Sequence, residues 1–201
     1  LSAMLRPVAD VSTFGIAPDQ LEPLTTSLKT ALEEKMTSGD VVFFVRGKFQ
    51  GVRDLTLEAL QSLGDTEILC HGVALSPGKP LILARCGQTL VWGLPGQVAS
   101  AQVVIHILGI PFLRHLAGHS LMAQLLGQET PDTDTRSSKH SAFAPSHIVA
   151  QQASRQGRED YIRVRLEHQA NGLPHAVPIP GLSGLLRTLL DSEGLVRIPH
   201  G

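Results

Sequence analysis

Asp40-Val41-Val42-Phe43-Phe44-Val45 runs without interruption into Arg46-Gly47-Lys48-Phe49-Gln50-Gly51-Val52-Arg53, and Asp54 follows. An apolar run with no polar alternation suits a strand buried on both faces of a sheet. The loop after it carries Gly47 and Gly51, and Asp54 has the side chain of a helix N-cap for the segment Leu55 to Leu63, which Gly64 ends. Strand, glycine loop and helix in this order make the α/β unit from which the rest of the chain is read.

Upstream, Asp19 and Glu22 form a capping-box pair, and Leu21, Leu24, Leu28, Ala31 and Leu32 recur at helical spacing, so a helix is expected to about Lys35. Pro23 falls in its first turn, where a missing N–H costs little. Before it, a helical fragment should end at Pro7, and a short strand is expected over Asp10 to Ile16. Downstream, strands are expected over Glu67 to Leu75, Leu81 to Ala84 and Thr89 to Trp92, with turns at Ser76-Pro77-Gly78-Lys79-Pro80 and Gly87-Gln88. Gly93-Leu94-Pro95-Gly96 then opens a long apolar helix, Ala99 to Leu116. This alternation predicts a largely parallel sheet.

Residues 127–141 are polar and have almost nothing to bury, which marks a linker. Beyond them Tyr161 to His168 alternates, with Ile162, Val164 and Leu166 on one side and Arg163, Arg165 and Glu167 on the other, as in a half-exposed antiparallel strand. A helix over Leu185 to Ser192 and a strand over Leu195 to Ile198 close the chain. The expected domains are therefore 1–120, α/β; 121–141, linker; and 142–201, β.

Hydrophobic residues make up 42% of the 201 and aromatics 4%, so the core must be aliphatic. A net charge of −1 gives no single-sign field suited to nucleic acid or an anionic membrane. Cys70 and Cys86 lie in apolar runs and read as buried thiols, with a cytoplasmic location. No signal peptide is visible, and no apolar run approaches the roughly 20 residues of a membrane span. The chain starts mid-pattern without a Met, so a longer native protein is expected.

Three loops are candidate sites. Gly47 to Gly51 sits after a buried strand, where open α/β sheets bind ligands, and Arg46, Lys48 and Arg53 add positive charge. Gly93-Leu94-Pro95-Gly96-Gln97 has the same placement, with an amide at Gln97 and a hydroxyl at Ser100. In Pro77-Gly78-Lys79-Pro80 two prolines hold Lys79 in a defined place, which suits an oxyanion. Each loop serves equally well as an ordinary turn. His115 and His119 are four apart but straddle the helix end expected at Gly118, so no zinc site is expected.

Taken in order, Gly15-Ile16-Ala17-Pro18-Asp19, Asp40-Val41-Val42, the glycine loop ending in Asp54, His71-Gly72-Val73-Ala74, Pro77-Gly78-Lys79-Pro80 and Gly93-Leu94-Pro95-Gly96 resemble the MoeA/gephyrin family of molybdopterin molybdenumtransferases. Ile110-Pro111-Phe112-Leu113, Gly157 to Val164, Ser183-Gly184, Thr188-Leu189, Gly194-Leu195 and Pro199 extend the resemblance across most of the chain. It implies a three-layer molybdopterin-binding α/β domain followed by a small β barrel, in an elongated homodimer. It also implies insertion of molybdenum from molybdate into adenylated molybdopterin, with AMP release and Mg2+. Two N-terminal domains and the first strand of the α/β domain, with its Thr-Gly-Asp loop, would precede Leu1. Carried over, Gly47, Gly51, Gly78, Lys79, Pro80, Gly93, Pro95, Gly96, Gln97 and Ser100 would bind the cofactor, and Asp54 would be the catalytic carboxylate and the metal ligand.

The first loop departs from the family's Ser-Gly-Gly-Val-Ser-Val-Gly-Asp-Tyr-Asp. Val45 and Arg46 replace Ser-Gly, Phe49 replaces the second Ser, and Val52 stands where the first loop carboxylate belongs. Ser76 replaces a Lys, and Gln97-Val98 replace Asn-Pro. Two functions follow from the resemblance: a divergent molybdenumtransferase, or a molybdopterin-binding or scaffold module without the chemistry. A third, cofactor adenylylation, is disfavoured by the appended C-terminal domain.

Overall fold

The computed structural model describes residues 1–34, 40–46, 54–120, 147–148, 157–170, 172–179 and 187–199. By packing, the chain forms two compact units, one of residues 12–104 and one of residues 1–11 with 105–201. The division falls inside the long helix, whereas the sequence pattern places a boundary at residue 120.

In the first unit, helix α2 (Leu21–Glu34; α1 is the short Ser2–Leu5) leads to strand β1 (Val41–Val45) and helix α3 (Leu55–Gln61). Strands β2 (Thr66–His71), β3 (Leu75–Ser76), β4 (Ile82–Cys86) and β5 (Thr89–Leu94) follow, then α4 (Val98–Val104). The sheet order is β1-β5-β4-β2. Only β1 and β5 are parallel; β5–β4 and β4–β2 are antiparallel. The expectation of a largely parallel sheet is therefore corrected to a mixed one. The reason lies in the turn at Gly87-Gln88, since a two-residue connection can join only antiparallel neighbours, while a parallel pair needs a crossover of about a dozen residues or more. Gly87 supplies the positive φ, +58°, that the turn uses.

Leu24 and Leu28 of α2 and Ala59 and Leu60 of α3 pack with Ile82, Ala84, Cys86 and Val91, joined by Val42, Phe44 and Ile68. Alternate residues of β4 thus face the two helices, as the period-2 rule requires. Phe43 and Trp92 meet as a tilted aromatic pair, ring centroids 5.6 Å apart. Both cysteines are free; Cys86 is buried and its thiol is pushed up by desolvation, but Cys70 is only half-buried.

No strand forms over residues 10–16. Ile16 and Phe14 are exposed, so the segment has no apolar face to bury against a neighbour. The long helix is continuous from Val98 to Leu116, with a π-turn over Ile105–Gly109 between α4 and α5 (Ile110–Leu116). By length and composition it could cross a membrane, contrary to the sequence expectation, although α4 buries five of its seven residues within the protein.

In the second unit, β7 (Glu159–Glu167) pairs antiparallel with β8 (His175–Pro178) and β9 (Gly194–Ile198), and β6 (His147–Ile148) lies parallel to β8. A one-turn helix, α6 (Arg187–Leu190), precedes β9. Val164 and Ala176 are the buried centre of this sheet. The described strands form no closed barrel. Linker residues 121–141 lie outside the described residues.

Candidate functional site

The parallel register of β1 and β5 pairs Val45 with Leu94, so the loops leaving both strands start side by side. The antiparallel register of β4 on β5 pairs Ile82 with Gly93, which brings the end of the Pro77–Pro80 turn to the same edge. β2 ends there too, with His71 opposite Ile82. The Pro77–Pro80 turn, the start of the Gly93–Gln97 loop and the ends of β1 and β2 therefore lie at one edge of one sheet.

Backbone hydrogen bonds fix the Pro77–Pro80 turn. Val73 N–H donates to the Lys79 carbonyl (2.9 Å), Gly72 N–H to Leu81 (2.7 Å) and Leu81 N–H to Gly78 (3.2 Å). Gly78 has φ +134°, and a Cβ on it would meet Val104 Cγ2 at 2.8 Å and Leu75 Cδ2 at 2.9 Å, so both conformation and packing demand glycine here. Lys79 itself is exposed, with its backbone held by the turn.

Asp54 is the N-cap of α3. Its Oδ1 accepts from Leu57 N–H at 3.4 Å, and its Oδ2 receives the Arg46 guanidinium. Their side chains are 16% and 11% exposed, so this pair is largely shielded from water. Arg46 also donates to the Pro80 carbonyl at 2.6 Å, and its backbone N–H donates to the Leu94 carbonyl at 3.2 Å. One side chain thus ties the end of β1 to the cap of α3 and to the Lys79 turn. His71 Nε2 lies 3.5 Å from Asp54 Oδ2, its own side chain half exposed.

At the second loop, Gly93, Leu94 and Pro95 are buried, while Gly96 and Gln97 are exposed. A Cβ on Gly93 would come within 3.1 Å of Ile82 Cβ, a tight approach that Ile82 would have to relieve by a few tenths of an ångström. Ser100 is buried and its hydroxyl donates to Gln97 Oε1 at 3.3 Å, which fixes the amide at the start of α4. Gly47 and Gly51, with Phe49 and Val52, lie outside the described residues.

Asp54, expected as a metal ligand, is engaged instead by Arg46 and by the helix backbone. Residues 47–53 contain no carboxylate, and among the described residues no three His, Cys, Asp or Glu side chains are grouped to hold a metal ion. Mg2+ takes near-octahedral oxygen ligands, of which one or two are carboxylates. A single carboxylate already paired with a guanidinium does not fit that requirement. The roles of Arg46 and His71 are not signalled by spacing: Arg46 stands eight residues from Asp54 and 34 from Pro80.

Residues 1–115 match the family described as “Probable molybdopterin binding domain”, and residues 150–201 match “MoeA C-terminal region (domain IV)”. The chain belongs to the MoeA/gephyrin family. A protein of Methanocaldococcus jannaschii named for molybdopterin biosynthesis is 25% identical over 187 residues, 93% of this chain and 38% of the relative. The molybdenum cofactor synthesis protein cinnamon of Drosophila melanogaster is 33% identical over 98 residues, 47% of this chain and 16% of its own. A solved MoeA structure from Pyrococcus horikosii superposes with a TM-score of 0.63 at 26% identity, over 92% of this chain and 38% of that one. The chain spans well under half the length of these relatives.

Proposed function

We propose that this chain is a molybdopterin-binding module of molybdenum-cofactor biosynthesis. Family membership supports the class of ligand, and the meeting of the Lys79 turn with the ends of β1 and β5 at one sheet edge supports the place. The observation that carries the reading is the hydrogen-bonded turn that carries the exposed Lys79, with Arg46 bonded to the neighbouring Pro80 carbonyl, where a phosphate would meet fixed positive charge. Gln97, held by Ser100, offers an amide to the ring system. Titration of the chain with molybdopterin tests this directly, and a folded chain that fails to bind it leaves only a scaffold role.

The engagement of Asp54 by Arg46 favours binding over transfer. Insertion of molybdenum from molybdate into adenylated molybdopterin is the second reading, favoured by the persistence of Lys79 and Ser100 at the same edge. AMP release from adenylated molybdopterin, with molybdate and Mg2+, separates the two: turnover that depends on Lys79 establishes transfer. In either reading residues 121–141 join two domains, which the separate matches to 1–115 and 150–201 support. The cytoplasmic homodimer implied by the resemblance belongs to the same proposal, and sedimentation of the chain tests its oligomeric part.

A further inference from the structure

We infer that Arg46 is the resident cation of this site: it occupies the one loop carboxylate that could recruit a divalent metal and fixes the Lys79 turn, so that a phosphate-bearing ligand is taken without metal. The inference rests on the molybdopterin-binding reading above and adds how the charge at that site is balanced.

Three observations carry it. First, both Asp54 oxygens are already engaged: one accepts from Leu57 N–H, and the other receives Arg46 with His71 Nε2 3.5 Å away. A dication placed against the same oxygen would lie a few ångströms from a guanidinium that never deprotonates in proteins, and the two would repel. Second, the loop offers no replacement ligand: from Arg46 to Asp54 the ionisable residues are Arg46, Lys48, Arg53 and Asp54. Third, the same guanidinium donates to the Pro80 carbonyl at 2.6 Å, next to Lys79. Arg46 therefore neutralises Asp54, which would repel a phosphate, and holds the turn that presents Lys79. Both effects favour an anion, and neither needs an ion from solution.

Arg46 is on this account a positioning residue, and metal independence is the readout that a merely structural role does not move. Molybdopterin would be titrated against the full chain in excess chelator and again in excess Mg2+, with Arg46→Gln and Arg46→Lys alongside. Circular dichroism and Trp92 fluorescence would check folding. The expected result is equal affinity under both conditions for the unsubstituted chain. Arg46→Gln should bind at least about tenfold more weakly, and Arg46→Lys should recover part of the loss, since it keeps the charge but cannot donate in a fork to Asp54 and Pro80 together. Binding by the unsubstituted chain that requires Mg2+ overturns the inference and leaves the molybdopterin reading standing. Undiminished binding by a folded Arg46→Gln also overturns it. No binding in either condition by the folded chain removes the molybdopterin reading itself, and this inference with it. Should Arg46→Gln fail to fold, the comparison of chelator with Mg2+ on the unsubstituted chain still decides.

Discussion

Replacing Asp54 separates its two engagements, because asparagine keeps one and alanine keeps neither. Asn is about as good an N-cap as Asp, so Asp54→Asn retains the bond from Leu57 N–H and loses only the charge facing Arg46. A charge-assisted hydrogen bond contributes about 1.5–3 kcal/mol, and the residual exposure of both side chains (11% and 16%) places this one near the lower figure. Asp54→Ala loses the cap as well. The capping bond is long at 3.4 Å, so its loss should add about 0.5–1 kcal/mol, the low end of the usual range. The expected costs are then roughly 1.5 kcal/mol for Asp54→Asn and roughly 2–2.5 for Asp54→Ala. A double-mutant cycle of Asp54→Asn with Arg46→Gln should show coupling of about 1 kcal/mol. Trp92 is the only tryptophan and is buried against Phe43, so its fluorescence during urea unfolding reports on the unit that contains the pair. With an m-value of about 1–2 kcal/mol/M, Asp54→Asn should lower the midpoint by roughly 1 M. Equal costs for Asn and Ala would refute the capping role, and coupling below about 0.3 kcal/mol would show that the ion pair carries no stability.

Four further outcomes are expected. Lys79→Ala should weaken molybdopterin binding at least about tenfold while the urea midpoint stays within error, because an exposed ammonium packs against little. Val52→Asp alone should leave ligand binding insensitive to Mg2+ as long as Arg46 remains, and metal-dependent binding of that single variant would show that the carboxylate count matters more than the guanidinium. Gly78→Ala should cost about 1–3 kcal/mol in the same urea assay, since φ is +134° and Val104 and Leu75 leave no room for a methyl; a neutral result would mean that the turn can shift. Tyr161, the only tyrosine, is pushed up to about 12 by burial and by the nearby Glu159 carboxylate. The folded state therefore holds its proton longer than the unfolded state, so this stability is complete below about pH 10 and is lost as pH rises through about 12. Phenolate absorbance should rise near pH 12, and a midpoint near the ordinary value of 10.0 would contradict the burial of the ring.

The strand and the helix on either side of residues 47–53 were legible because they rest on local chemistry: an apolar run, a capping Asp and a glycine stop at Gly64, where φ is +82°. Burial of that strand on both faces was not borne out: β1 lies at the edge of the sheet, its residues are only half-buried and Val45 is exposed. Strand direction was not legible from apolar content, since a strand covered on both faces looks the same in parallel and antiparallel sheets. The turn length at Gly87-Gln88 held that information and outweighs composition. The capping role of Asp54 could be read from its position before a helical pattern. Its pairing with Arg46 could not, because it depends on where the intervening loop returns, and the bond from Arg46 to Pro80 depends on the registers of β5 on β1 and of β4 on β5. Glycine told less than its motifs suggested. Gly78 sits in a family-like loop, yet its positive φ and its packing against Leu75 and Val104 account for it without any ligand, and Gly93 is closely packed against Ile82.

Charge balance connects these particulars. The first loop of the family, as the resemblance gives it, ends in two aspartates, which a divalent cation would neutralise. Here Val52 removes one carboxylate and Arg46 supplies one guanidinium against the other, so Asp54 and Arg46 balance without an ion. The two departures are thus a single change in how the loop is neutralised. Together, and with Lys48 and Arg53, they give the segment 46–54 three cations and one carboxylate, a net +2. In the binding reading, positive charge of this kind would attract phosphate from a distance and hold it by charge fixed to the chain. A fixed charge can bind an anion, but it cannot exchange its ligands as a metal ion does while molybdate and phosphate trade places. For that reason the same pair of residues that supports binding argues against metal-assisted transfer at Asp54.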